Sequence, residues 1–69
     1  MELDLHGVKH KDVSDLVIEF IFDNTTPLYI ITGNSNEMQR IVTNILDKYE
    51  CKYYIPSYNL GQIIVTDNG

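Results

Sequence analysis

Residues 28–49 read LYIITGNSNEMQRIVTNILDKY, and the change of hydrophobic period inside this stretch decides the fold. Leu28-Tyr29-Ile30-Ile31-Thr32 is an unbroken β-prone run, which predicts a strand that is central in a sheet or covered on both faces. Gly33-Asn34-Ser35-Asn36 interrupts it with residues that accept unusual backbone angles and cap helices, and Glu37 stands three positions after Asn34, the spacing of a capping box. Met38, Ile41, Val42, Ile45, Leu46 and Tyr49 then recur at three- and four-residue intervals, which lays one apolar stripe along a helix.

Working outward, Asn24-Thr25-Thr26-Pro27 has turn chemistry, and Pro27 turns the residue before it away from helical angles. Upstream, over residues 9–23, Val13, Leu16, Val17, Phe20 and Ile21 predict an earlier helix, with Asp12 and Asp15 near its positive end. The opening Glu2-Leu3-Asp4-Leu5-His6 alternates polar and apolar, so Leu3 and Leu5 share one face of a short strand that Gly7 breaks. Downstream, residues 51–55 read as a third strand, 56–60 as a turn, 61–66 as a fourth strand and 67–69 as a frayed tail. The order β-α-β-α-β-β makes residues 1–69 a single domain of the α/β class. Each strand-helix-strand step calls for a crossover between parallel strands, and the last two strands form an antiparallel hairpin. With only two helices, both can lie on one face of a four-stranded mixed sheet, giving a two-layer sandwich.

Sixty-nine residues leave no room for a separate substrate domain. A composition 43% hydrophobic and 22% charged, with 4 glycines and 2 prolines, excludes disordered and collagen-like chains. Ten acids against five bases give a net charge of −5, so the sequence-independent electrostatic grip of a strongly basic protein is excluded and any nucleic-acid contact must be local. Cys51 is the only cysteine, which rules out an intramolecular disulfide or a cysteine-based zinc knuckle and fits a small buried hydrophobe in a reducing compartment. The first residues are acidic rather than basic and the apolar runs fall short of a membrane span, so the expectation is a soluble, cytoplasmic protein.

In such a sheet, ligands bind beyond the carboxyl ends of the parallel strands, where loops 6–10, 32–36 and 56–61 gather. The Gly33-Asn34-Ser35 turn offers backbone N–H groups at the positive end of the second helix, suited to a phosphate, although most such turns before helices are only caps. Asp4 and His6 are two apart on a strand, so their side chains share a face and could share a proton or a metal ion. An imidazole beside a carboxylate suits general acid–base work on a phosphodiester; the alternative is that both merely pin a loop. His10 as a metal ligand has no established spacing behind it. Lys9, Lys11 and Arg40 can make a local basic spot, and among Tyr53, Tyr54 and Tyr58 the loop residue Tyr58 is the best placed for exposure.

Leu3-Asp4-Leu5-His6-Gly7 opening a β-α-β unit, Ile31-Thr32-Gly33 before a second helix, and Gly61 before a final Ile-Ile-Val strand together resemble the Smr (small MutS-related) domain over nearly the whole chain. The resemblance implies a β-α-β-α-β-β sandwich similar to the C-terminal domain of bacterial translation initiation factor three. It also implies nucleic-acid chemistry, since the family includes domains that nick DNA, cleave RNA or act on stalled ribosomes. Asp4 and His6 stand at the family's Leu-Asp-Leu-His cleavage positions. Thr32 and Gly33 stand in its His/Thr-Gly-x-Gly motif, with Ser35 in place of the second glycine, and Gly61 stands in its glycine turn. With Gly7, Lys9, His10, Asn34 and Arg40, these residues form the expected nucleic-acid or phosphate surface. Metal dependence varies in the family, so no cofactor follows, Mg²⁺ or Mn²⁺ being the candidates. Two readings stay open: an endonuclease acting on DNA or RNA, and a non-catalytic module that docks on nucleic acid, the ribosome or a protein partner.

Overall fold

The computed structural model describes residues 1–68. Its elements are β1 (Glu2–Asp4), α1 (His10–Asp23), β2 (Leu28–Ile31), α2 (Asn36–Lys48), β3 (Lys52–Tyr54) and β4 (Gln62–Asp67). The chain is an α/β sandwich whose four-stranded mixed sheet runs in the order β1-β2-β4-β3. β1 lies parallel to β2, while β4 lies antiparallel to both β2 and β3. β2 and β3 therefore point the same way, as a strand-helix-strand step demands, with β4 inserted between them.

The unbroken apolar run at 28–31 takes a central position, and its side chains divide by face. Leu28 and Ile30 pair in register with Val65 and Ile63, and all four are fully buried. Tyr29 and Ile31 point to the opposite face and are half-buried. α1 adds Val13, Val17 and Ile21 to the inner face, α2 adds Val42 and Leu46, and these residues join the sheet's inward side chains in one continuous core. The two helices pack against each other, so both cover the same side of the sheet. The stripe expected on α2 is buried or half-buried throughout, whereas Leu16 on α1 lies at the border of its stripe and is exposed.

α2 ends in a reciprocal pair of bonds, Glu50 N–H donating to the Asp47 carbonyl (3.1 Å) and Cys51 N–H to the Leu46 carbonyl (2.9 Å). This closure requires a left-handed residue between them, and Glu50 supplies it at φ +59°, where glycine carries no steric penalty. Glu50→Gly is expected to raise stability by about 1 kcal/mol, read as a higher melting temperature. Next to this turn, burial pushes the Cys51 thiol up from its ordinary value, with the Asp67 charge adding to it. Tyr53 donates its hydroxyl to Asp47 Oδ1 (2.8 Å), tying β3 to α2, and burial followed by this bond raises the phenol.

The end of the chain corrects the expectation of a frayed tail at 67–69. Asp67 belongs to β4, and Asn68 Nδ2 donates to the carbonyls of Ile21 (2.7 Å) and Asn24 (3.1 Å); Gly69 lies outside the described residues. The last carbonyls of a helix have no partner of their own, and here a side chain 47 residues away supplies one. Asn68→Ala is expected to cost about 1 kcal/mol, a drop of roughly 4–8 °C in the melting temperature of a domain this small.

Candidate functional site

Because β1 and β2 are parallel, their carboxyl ends meet at one edge of the sheet, and β4, running the other way, starts there. Leu5 N–H donates to the Ile31 carbonyl (2.9 Å), which carries the pairing one residue past β1 and buries Leu5 completely. The chain then turns through Gly7 at φ +80°, with Val8 N–H returning to the Leu5 carbonyl (3.0 Å). A β-carbon is disfavoured at that angle, so the glycine after His6 is a backbone requirement.

Within this turn, Asp4 Oδ1 accepts the backbone N–H of His6 (2.8 Å). The carboxylate holds the chain at the point from which the imidazole projects, an Asx-type contact between residues two apart. His6 is exposed, and its Nδ1 lies 3.8 Å from the place a β-carbon would occupy on Gly33. Gly33 itself sits at φ +69°, so the imidazole lies beside a left-handed residue that carries no side chain.

Gly61 completes the junction. Its carbonyl accepts Thr32 N–H (2.8 Å), Gly33 N–H (3.1 Å) and the Thr32 hydroxyl (3.2 Å). A β-carbon on Gly61 would stand 3.2 Å from the Gly33 carbonyl carbon and oxygen, so the two glycine turns touch backbone to backbone. Thr32 is buried and its hydroxyl points inward, where it locks the two loops together. Asn59 Oδ1 accepts Gly61 N–H (3.0 Å), and Gln39 Nε2 donates to the Leu60 carbonyl (3.2 Å), fastening the last loop to α2.

The start of α2 corrects the capping-box expectation by one residue. Ser35 is the cap, its Oγ accepting Met38 N–H (3.1 Å), so the third helical position is Met38. Displaced from the box, Glu37 pairs with Arg40 across one turn (2.6 Å). Both side chains are well exposed, so the pair adds little stability, but it neutralises Arg40 at the place where a free cation was expected. Beside the cap, an open groove of about 500 Å³ is lined by Gly33, Asn34, Asn36, Gln39, Ile55 and Leu60. On the other flank, Lys9 caps α1 without a side-chain bond, and His10 is the exposed first residue of that helix. Lys9 and Lys11 share their groove with Asp12 and Asp15, so the basic spot there is mixed rather than positive.

The edge thus gathers His6, Gly7, Gly33, Asn34, Ser35 and Gly61, with Asp4 behind His6 and Thr32 beneath the turns. Among the described residues no three His, Cys, Asp or Glu side chains come together to hold a metal ion. Asp4 and His6 offer one carboxylate and one imidazole, so an Mg²⁺ or Mn²⁺ ion there would draw most of its oxygen donors from water and a phosphate. No family model, curated protein or solved structure matches the chain. The chemistry of the edge rests on its own residues.

Three residues here carry no motif. Tyr58 is 80% exposed, the exposure expected of it, and Leu60 is 65% exposed on the same loop. Gln39 sits on the polar side of α2, and its grip on the loop joins partners 21 residues apart. Leu60 leaves a weak sign in the sequence, a large apolar residue inside a turn, while Gln39 leaves none. Among the described residues no helix is long and apolar enough to cross a membrane.

Proposed function

We propose that the chain is an Smr-like nucleic-acid-binding domain that cleaves a phosphodiester at the loop edge, with His6 as the proton-handling group. One observation carries this reading. Residues 6, 33 and 61, far apart in sequence, gather at one edge, where the exposed imidazole lies beside Gly33 and Gly33 in turn touches Gly61 backbone to backbone. A phosphate placed against the turn at 33–36 meets the positive end of α2 and bare backbone, close to His6. His6 then takes the proton from the attacking hydroxyl or water as its oxygen bonds to phosphorus and the opposite P–O bond breaks, the leaving oxygen being protonated from solvent. Asp4 acts through His6 as a positioning residue, because its carboxylate holds the His6 backbone. We place this activity in the cytoplasm, in keeping with the single, unpaired Cys51.

The test is incubation of the pure protein with end-labelled structured RNA and with supercoiled plasmid, in Mg²⁺, Mn²⁺ or chelator. His6→Ala is expected to lose cleavage by about 100-fold or more while melting normally, since the imidazole is exposed and carries no core contact. Asp4→Asn keeps an acceptor for His6 N–H and is expected to retain more activity than Asp4→Ala. Wild-type protein that binds but never cleaves would overturn the catalytic part. It would favour a second reading supported by the exposed Tyr58 and Leu60: a module that docks on nucleic acid, the ribosome or a protein partner without turnover.

A further inference from the structure

The face of the sheet away from the helices carries an ordered set of side chains. Register places Glu2, Tyr29, Ile64 and Tyr54 in one row across all four strands, and Asp4, Ile31 and Gln62 in the next. Ile64 is only 5% exposed although no helix lies over it, and it is flanked in register by Tyr29 and by Tyr54, which is 50% exposed. Both rows end at the β1 edge in an exposed carboxylate, Glu2 or Asp4, whereas the β3 edge carries the exposed Lys52. The face is therefore an apolar and aromatic strip, acidic along one side.

We propose that this face docks a short basic amphipathic helix of a protein partner. The partner's apolar side would lie on Tyr29, Ile31, Ile64 and Tyr54, with its lysines or arginines over Glu2 and Asp4. Three strand spacings of about 4.8 Å make the strip roughly 14 Å wide, which suits one helix of about 10–12 Å. A second copy of the chain is a poor fit, because a strip two rows deep and about 14 Å wide falls well below the ~800 Å² per partner of a stable dimer. Phosphates are disfavoured by the two carboxylates, while cations gain both from them and from the faces of the tyrosine rings. The proposal shares only Asp4 with the loop edge and rests on Glu2, Tyr29, Ile64 and Tyr54, so it survives failure of the loop-edge chemistry.

Titration of ¹⁵N-labelled protein with a panel of basic amphipathic helical peptides, and with versions in which every lysine is replaced by glutamate, tests it. Expected are saturable shifts at Glu2, Tyr29, Ile31, Tyr54 and Ile64 below roughly 1 mM, the weak end of specific recognition, with the acidic versions silent. Glu2→Lys and Tyr54→Ala, both at exposed positions, should each weaken binding by about fivefold with the remaining spectrum unchanged. Shifts centred on another face, equal binding by the acidic peptides, or no saturable binding by any basic member would overturn the proposal. So would displacement of these same resonances by a single-stranded oligonucleotide, or by self-association in a dilution series.

Discussion

Ile30→Ala is expected to remove about 3 kcal/mol of stability, the largest loss from any single truncation in the sheet. Ile30 lies in the middle of β2, opposite Leu3 on one side and Ile63 on the other, and it is fully buried beneath the helices. Truncating such a side chain forfeits its transfer energy and leaves a cavity that the surrounding strands cannot close, which together cost about 2–5 kcal/mol. A domain of this size holds only roughly 3–10 kcal/mol in total, so one core position can account for a large part of it. Urea unfolding should show a much lower midpoint with an unchanged slope. Ile31→Ala, one residue along, is the internal control: its side chain sits on the opposite face and is half-buried, so the loss there should be clearly smaller. Equal losses at the two positions would show that the assignment of faces in β2 is wrong.

That contrast between neighbours also marks how far the fold was legible. Period alone was enough for α2, because six residues on one stripe leave a helix few other ways to bury them. It was enough for the central place of β2, since a run of four apolar residues cannot be satisfied at a wet edge. It could not supply the strand order. A hairpin of β3 and β4 presents the same alternation whichever of its strands pairs with β2, and the insertion of β4 depends on the match of Leu28 and Ile30 with Val65 and Ile63. Nor could it foresee Asn68, because a single amide reaching back to Ile21 and Asn24 repeats nothing and follows no local rule.

The candidate site was legible in the same partial way. The spacing of Asp4 and His6 predicts two side chains on one strand face, but β1 ends at Asp4 and His6 stands in the turn after it; the bond that forms runs from the His6 backbone, so the carboxylate positions the chain. The offset of the cap from Asn34 to Ser35 has a local cause: Gly33 takes the left-handed turn, and the helix begins only at Asn36. Glu37 then falls at the second helical position, where Arg40 is in reach and the Ser35 N–H is not its partner. Contact between Gly33 and Gly61 was beyond reach of any local pattern, since it joins residues brought together only by the pairing of β2 with β4.

Gly61→Val should therefore have the largest effect of any change at the loop edge. The backbone angle at Gly61 is one that other residues adopt, so the penalty is one of space, unlike that at Gly33, whose φ of +69° strains any β-carbon. A β-carbon at position 61 would meet the carbonyl carbon, oxygen and α-carbon of Gly33 at 3.2–3.3 Å, all of them main-chain atoms. Those atoms cannot step back, because Thr32 N–H and Gly33 N–H are both bonded to the Gly61 carbonyl, at 2.8 and 3.1 Å. Relief of the clash lengthens the very bonds that join the turns. The two further methyl groups of valine raise the overpacking cost to about 3 kcal/mol, against about 1–2 kcal/mol for Gly61→Ala. Gly33→Ala should cost about 1–2 kcal/mol from backbone strain while leaving the junction closed, since its β-carbon would meet only His6 Nδ1 at an ordinary 3.8 Å. Amide exchange separates the two mechanisms: Gly61→Val should lose protection at Thr32 and Gly33 before the core amides of β2 and β4 open, and Gly33→Ala should not. If Gly61→Val kept both amides protected, the two turns would not be held by this contact, and the convergence of His6 on Gly33 and Gly61 would lose its structural basis.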